Sequence, residues 1–532
     1  MKDITKPFSR PEGYSERIPV IAKRLFKNPG TDVLRDWAKG DEITTCTGSP
    51  VYVTHIRSRS ADNTYVVSDN VKTGVFQKEW TRDEARKLQD QVHEYLKKRD
   101  VIQIDCILGN SDKQLKLRLY ITKKYARIAM MLANMYFAPV PGQEDLPDSQ
   151  VDFISIYVPE LNTQNRKIYA DMDNRVTYIT GSDYFGEAKK SFLRHAMFLA
   201  KEWGGLGFHA GSKVLKVRDK NNELKEYGFI MFGLSGTGKT TLTLSDHGLT
   251  GEEESIIRQD DVVLMMPDGY CYGTEAGFFI KTGGLDESQR VLFNAAKSPY
   301  AAFENVIVCE ESGIIDYDDE TLCNNGRGVL RREDVEGIKD RIDIDKANKI
   351  VFITRRNDVM PALARLTPEQ AAAFFMLGES VETGAGDPTK KGQSKRSVGT
   401  NPFIVGPEAE EGNRFLEILK NNDDMECYLF NTGRVGTSYI YNTKGKNITV
   451  DVSTGLMKDI ARGTIKWEID PYWGYEVAVE SQEVDLSGYN PKNYFTDEQY
   501  HILNDRLMEE RCEWLRKFDG LKTEIIQAVC NH

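Results

Sequence analysis

Histidine and cysteine are scarce in this chain. Its 532 residues include seven His and eight Cys, and no two Cys form a Cys-x-x-Cys pair. That pattern argues against a zinc site and against a disulfide scaffold, so reduced thiols are expected. An excess of positive charge is missing as well. Lys and Arg number 70 against 81 Asp and Glu, a net charge of −11, which argues against nucleic acid as the main partner. Long apolar runs are also absent. The most apolar stretch, residues 129–140, is too short to span a bilayer. Met1-Lys2-Asp3-Ile4 is not followed by an apolar signal core. The chain also lacks repeats and low-complexity tracts. A cytoplasmic protein with no membrane partner is expected.

The composition itself is that of a folded protein, with 40% hydrophobic and 28% charged residues. The length is too great for one core and calls for two or three domains. The acids from Asp316 to Glu320 read as a solvated face. Residues 1–40 read as a helical, charged lead-in, and 41–70 as strands around Val51-Tyr52-Val53 and Tyr65-Val66-Val67. Ala85, Leu88, Val92 and Leu96 recur at helical spacing within Arg82 to Lys98; Thr81 is the expected N-cap and Glu84 completes a capping box. Residues 101–106 and 115–121 read as strands, 139–147 as a loop, and Lys189 to Trp203 as a helix. Beyond Tyr227, strand patterns predominate at 262–266, 270–280, 305–309 and 348–354. A helix begins at Thr367-Pro368, with Gln370 completing a capping box, and stops at Gly378. Strands and helices do not alternate cleanly, which favours an α+β (mixed α/β) class.

The clearest chemical signal is Gly233-Leu234-Ser235-Gly236-Thr237-Gly238-Lys239-Thr240, directly after the apolar run Phe229 to Phe232. Glycines in such a loop let backbone N–H groups surround a polyphosphate, the lysine reaches the β- and γ-phosphates, and the hydroxyl of Thr240 can hold a divalent cation. The segment that follows, from Thr240 and Thr241 to Asp246, is rich in β-branched Thr and meets Gly248, so it supports at most a short helix. Adjacent carboxylates at Asp260 and Asp261 precede another apolar run. Alone they read equally as a surface turn or a cation site; beside a phosphate loop that needs a metal, the cation reading gains. Lys281 and Arg327 are cations that could spread phosphoryl charge, though each taken singly reads as a surface residue. Arg327 lies between glycines, so its backbone is expected outside a regular element. His209 sits among four glycines from Gly204 to Gly211, where a flexible turn and a metal-binding imidazole are both open.

Taken together, these residues resemble the ATP-type phosphoenolpyruvate carboxykinases, most strongly from Tyr184 to Arg327. The family's Tyr-x-Gly-Glu-x-Lys-Lys block is matched by Tyr184 to Lys190. His209 falls twenty-five residues after that tyrosine, as the family's metal histidine does. Asp260-Asp261, Glu275 through Lys281-Thr282, and Arg327 follow in order, and Arg59-Ser60 resembles the family's substrate arginine. The resemblance implies an N-terminal α/β domain over 1–205 and a C-terminal mononucleotide-binding, P-loop-containing domain over 206–532. It implies decarboxylation of oxaloacetate to an enolate that takes the γ-phosphoryl group of ATP, giving phosphoenolpyruvate and CO2. Manganese would be held by Lys190, His209 and Asp261. Arg59, Tyr184, Lys190 and Arg327 would bind substrate. Lys239, Lys281 and the loop through Thr241 would hold the triphosphate, with Thr240 on a magnesium ion.

The chain departs from the family in places. The family's Gly-Arg-Ser-Pro-x-Asp-Lys is here Ser58-Arg59-Ser60-Ala61-Asp62-Asn63-Thr64, and Arg57 rivals Arg59. Where the family has Arg-Ile-Ser-Ile, this chain has Asn447-Ile448-Thr449-Val450. The alternatives are a related P-loop kinase with another acceptor or another donor (GTP or pyrophosphate), and a non-catalytic nucleotide-binding protein.

Overall fold

Two units share the chain in the computed structural model, which describes residues 17–381, apart from Ser235, and 394–530. The first unit takes the described residues up to Trp203 together with Tyr272–Glu336, and the second takes Gly204–Cys271 and those from Gly337 onward. The sequence expectation of 206–532 as one domain therefore changes for residues 272–336. The reason is strand pairing. Ala302–Glu304 runs parallel to Pro50–Tyr52, with Phe303 opposite Val51 and Glu304 opposite Tyr52. This pairing belongs to a five-stranded sheet that also contains Phe278–Lys281, Arg327–Leu330 and Ile43–Thr44.

The first unit's main sheet has seven strands. In spatial order they are Arg24–Lys27, Asp100–Leu108, Leu115–Thr122, Phe153–Val158, Val176–Thr180, Lys167–Asp171 and Thr64–Val67. Every residue of Phe153–Val158 is buried, as expected of a strand covered on both faces. The helix Arg82–Leu96 covers one face with the stripe read from sequence: Ala85, Leu88, Val92 and Leu96 pack in the same core as Tyr120, Ile154 and Tyr178. Its start is set by the Thr81–Glu84 capping box. The helix Phe185–Glu202 packs against Phe153–Val158 and begins four residues earlier than its apolar periodicity suggests. The expected helical lead-in is instead a strand, Arg24–Lys27, followed by a helix, Thr31–Ala38. Residues 1–16 lie outside the described residues. Leu25 and Phe26 extend the sheet, opposite Val101 and Ile102.

In the second unit, strand alternation builds a two-sided sheet. Ile230, Phe232, Ile350 and Phe352 face one core, while Phe229, Met231, Val351 and Ile353 face the other. Leu224–Gly233 pairs parallel with Ala347–Thr354, which in turn pairs parallel with Glu426–Asn431. Leu206–Arg218 pairs antiparallel with Leu224–Gly233 on the other side. Within Gly204–Gly211 only Gly204 and Gly205 lie in a turn, and from Leu206 onward, His209 included, the chain is strand. The helix Pro368–Leu377 has its capping box and ends at Gly378 in the left-handed region, φ 44°.

The cysteines bring a correction. Cys512 and Cys530 form a disulfide with Cα atoms 5.7 Å apart, so these two thiols are not reduced. They lie 18 positions apart in sequence, but the helix Thr523–Cys530 folds back onto Asp497–Leu515. The other six cysteines are free. No helix among the described residues is long and apolar enough to cross a membrane.

Candidate active site

Within the second unit, the strand Leu224–Gly233 delivers the phosphate loop. Gly238, at φ 94°, adopts a backbone that a side chain would strain and turns the chain into the helix Lys239–Leu244. That helix has only six residues, the short one expected from the Thr-rich segment. The Thr237 hydroxyl donates to Leu234 O at 2.8 Å, and the Thr432 hydroxyl donates to Thr237 O at 2.6 Å. Arg355 Nη1 donates to Gly236 O at 2.8 Å. Ser235 lies outside the described residues.

The adjacent acids divide their work. Asp260 ties down the loop: Lys239 Nζ donates to its backbone carbonyl at 2.6 Å, and Thr240 Oγ1 to its carboxylate at 3.0 Å. Asp261 faces His209, with Oδ1 2.8 Å from Nε2. His209 Nδ1 lies 2.9 Å from Thr400 O. A carbonyl only accepts, so Nδ1 carries the proton, and in a neutral ring Nε2 presents its lone pair to the carboxylate. Two acceptors at that distance require a shared proton or a cation. Imidazole nitrogen with carboxylate oxygen is a donor set that suits a divalent transition metal, so the residues present fit the metal that the resemblance implies. No cluster of three or more His, Cys, Asp or Glu side chains arranged for a metal occurs among the described residues.

The loop opens on a cleft of about 990 Å³, lined among others by Thr237, Thr241, Arg355, Arg434, Asn447 and Thr449. Thr449 caps the helix Val450–Arg462, accepting from Val452 N at 3.3 Å. Arg355, Thr432 and Arg434 are cleft residues that no motif pointed to; only their closeness in the fold shows them.

The first unit holds the other cluster. Tyr184 stands at the N-cap of Phe185–Glu202 and is buried, its hydroxyl pKa raised by that burial with Arg327 pulling the other way. Its ring lies over Gly186, where an added Cβ would come within 2.4 Å of the ring carbon Cε1. Arg327 opens the strand Arg327–Leu330, so the expectation of irregular backbone fails there; the flanking Gly328 has no side chain to clash with the Phe303 ring. Its guanidinium is aimed by Asn325, whose Oδ1 accepts from Nε at 3.0 Å and Nη2 at 2.7 Å. Lys281 is its cross-strand partner. Lys190 is half-buried on Phe185–Glu202.

Arg59 and Arg57 have different surroundings. Arg57 donates to the Leu322 carbonyl. Arg59 lies near the buried Arg194, and its charge adds to the burial that holds the Arg194 pKa down at about 10. The segment carrying both arginines hangs from acids at the start of the Tyr184 helix. Asp183 accepts from His55 N and Ile56 N at 3.0 and 2.9 Å, and Glu187 accepts from Ser60 N at 2.5 Å. Asp183 in turn pairs with Arg127 at 3.2 Å, and Arg127 with Glu304 at 2.6 Å. Asp183, Arg127 and Glu304 are missed by sequence reading, since a buried charge in a strand or helix has no local signature.

The phosphoenolpyruvate carboxykinase family model matches residues 23–487. An Aeropyrum pernix protein named phosphoenolpyruvate carboxykinase (ATP) is 33% identical over 498 residues, covering 93% of this chain and 94% of the relative. A Thermus thermophilus protein of the same name is 25% identical, covering 95% and 97%. A Trypanosoma brucei relative, named as glycosomal, is 27% identical over 79% of this chain and 88% of its own length.

Proposed function

We propose, for a chain that belongs to the ATP-type phosphoenolpyruvate carboxykinase family, that it converts oxaloacetate and ATP to phosphoenolpyruvate, CO2 and ADP. The observation that carries this reading is the join between phosphate loop and acids: Lys239 and Thr240 both bonded to Asp260, with Asp261 against His209. A mere nucleotide binder has no use for a metal-type donor pair fixed beside its loop. Nothing favours the alternative acceptor or donor.

In this proposal, Gly233 to Thr241, Lys239 and Lys281 hold the triphosphate. Arg59 and Arg327 clamp carboxylate and phosphoryl oxygens by charge-assisted hydrogen bonds. Tyr184 lies against the carboxylate that leaves as CO2. The C–C bond breaks, its electron pair forms the enolate, and the enolate oxygen takes the γ-phosphoryl group while ADP leaves. The family implies a divalent metal with the nucleotide. We assign manganese to His209 and Asp261, where it would supply positive charge for the developing anion; Lys190 as a further ligand rests on the resemblance alone. Magnesium would accompany ATP at Thr240. A cytoplasmic location belongs to the same proposal.

The test is product analysis. Purified chain with ATP, manganese and oxaloacetate should yield phosphoenolpyruvate, and H209A should lower the rate by at least about a hundredfold. No phosphoenolpyruvate with ATP, GTP or pyrophosphate would overturn the reading.

A further inference from the structure

The cleft beside the phosphate loop contains a residue whose chemistry no motif explains. Arg434 lies on Arg434–Val435, a two-residue strand paired antiparallel with Lys446–Asn447, and its direct partner is Asn447. Both line the cleft. Asn447 is the position at which this chain lacks the arginine of the Arg-Ile-Ser-Ile pattern. Across a paired register the two Cβ atoms lie close enough for one side chain to occupy the space the other gives up. We infer that Arg434 supplies, from the neighbouring strand, the cation that faces the nucleobase of ATP. The inference rests on the activity proposed above and names a specificity residue for it.

Three observations support the assignment. First, Arg434 is weakly engaged by the protein. Nη2 donates to Gly445 O at 3.3 Å, and Nε is buried without a hydrogen bond. Second, its backbone is held firmly. Arg434 N donates to Arg356 O at 2.9 Å, and Ile448 N to Gly433 O at 3.0 Å. At Gly433 an added Cβ would come within 2.3 Å of Arg356 O, and at Gly445 within 1.8 Å of Val435 O, so the pairing depends on close backbone approach. Third, the cleft's other arginine, Arg355, is bonded to the phosphate loop itself through Gly236 O. That leaves Arg434 to the part of the ligand beyond the phosphates. A guanidinium is planar, stacks on a purine face and donates to ring nitrogens, which an asparagine amide does less strongly.

The experiment compares two ligands by calorimetry, with magnesium and without oxaloacetate: ATP, and inorganic tripolyphosphate as a baseless control. R434N should weaken ATP about tenfold and leave tripolyphosphate unchanged. The exchange R434N/N447R returns the guanidinium to the paired strand and should restore ATP binding to within about threefold of wild type. Unchanged ATP binding in R434N would overturn the assignment. So would an equal loss of both ligands, or failure of the exchange to restore ATP while tripolyphosphate still binds. Because oxaloacetate is absent, the measurement reads nucleotide binding alone: a wild type that does not bind ATP would overturn this assignment, whereas ATP binding without phosphoenolpyruvate formation in the separate rate assay would count against the proposed activity only.

Discussion

Lys281 and Arg327 stand directly opposite each other on paired antiparallel strands. Like charges in that arrangement oppose sheet formation by up to about 1 kcal/mol. Nothing in strand packing calls for such a pair, but an anionic ligand would. K281M should therefore raise the thermal midpoint of the ligand-free protein, or leave it unchanged, while lowering kcat/KM. R327Q should lower kcat roughly 10²–10³-fold. Scanning calorimetry and initial rates, run on the same preparations, check both. A loss of stability in K281M equal to that of a core deletion would show the lysine to be structural.

The proposed metal at His209 and Asp261 predicts dependence on a divalent cation. Removing metal with a chelator should abolish turnover, and manganese should restore it. D261N should weaken manganese binding at least tenfold, as read by electron paramagnetic resonance, because the amide keeps the shape but loses the charge. ATP binding with magnesium should survive in D261N, since Lys239 and Thr240 are tied to Asp260 and not to Asp261.

Glu304 gives a pH prediction. Burial pushes its carboxyl up to about 7, against the pull of Arg127. A folded pKa above the ordinary 4.5 means the folded state binds the proton more tightly. The resulting stability is full below pH 4.5 and lost as pH rises through about 7. This group adds a fall of up to about 1.4 kcal/mol per pH unit in that window. E304Q should flatten the corresponding drop in thermal midpoint, measured by tryptophan fluorescence. An identical slope in E304Q would remove Glu304 from the account.

The Cys512–Cys530 bridge closes a short loop at the end of the chain. Reduction, or C512S, should cost roughly 3 kcal/mol of stability for the helices it joins. Phosphoenolpyruvate formation should continue, because no residue assigned to substrate or nucleotide lies in Asp497–Cys530. Denaturant unfolding with and without reductant measures the first point, and a rate assay the second.

Local signals in the sequence were enough for several parts of this structure. The capping boxes Thr81–Glu84 and Thr367–Gln370, and the six-residue helix after the phosphate loop, follow from residues adjacent in sequence. Features that depend on distant pairing did not show. Residues 272–336 join the first unit because Phe303 lies opposite Val51, a register that no local pattern encodes. Gly211 near His209 and Gly328 beside Arg327 lie in strands and are glycine because neighbours press close, Thr243 on Gly211 and Phe303 on Gly328. The buried set Arg127, Asp183 and Glu304 was hidden for the same reason, since each charge is satisfied by a partner far along the chain. Arg434 has no local motif, and the role proposed for it depends on its cross-strand partner Asn447.

The most direct test of the central claim is a double-label stoichiometry. Oxaloacetate labelled at the carboxyl carbon next to the methylene is mixed with γ-labelled ATP, manganese and enzyme. Label in CO2 and label in phosphoenolpyruvate should appear in a one-to-one ratio, with R327Q suppressing both together. Labelled CO2 without labelled phosphoenolpyruvate, or phosphoryl label in any other acceptor while oxaloacetate stays intact, would contradict it.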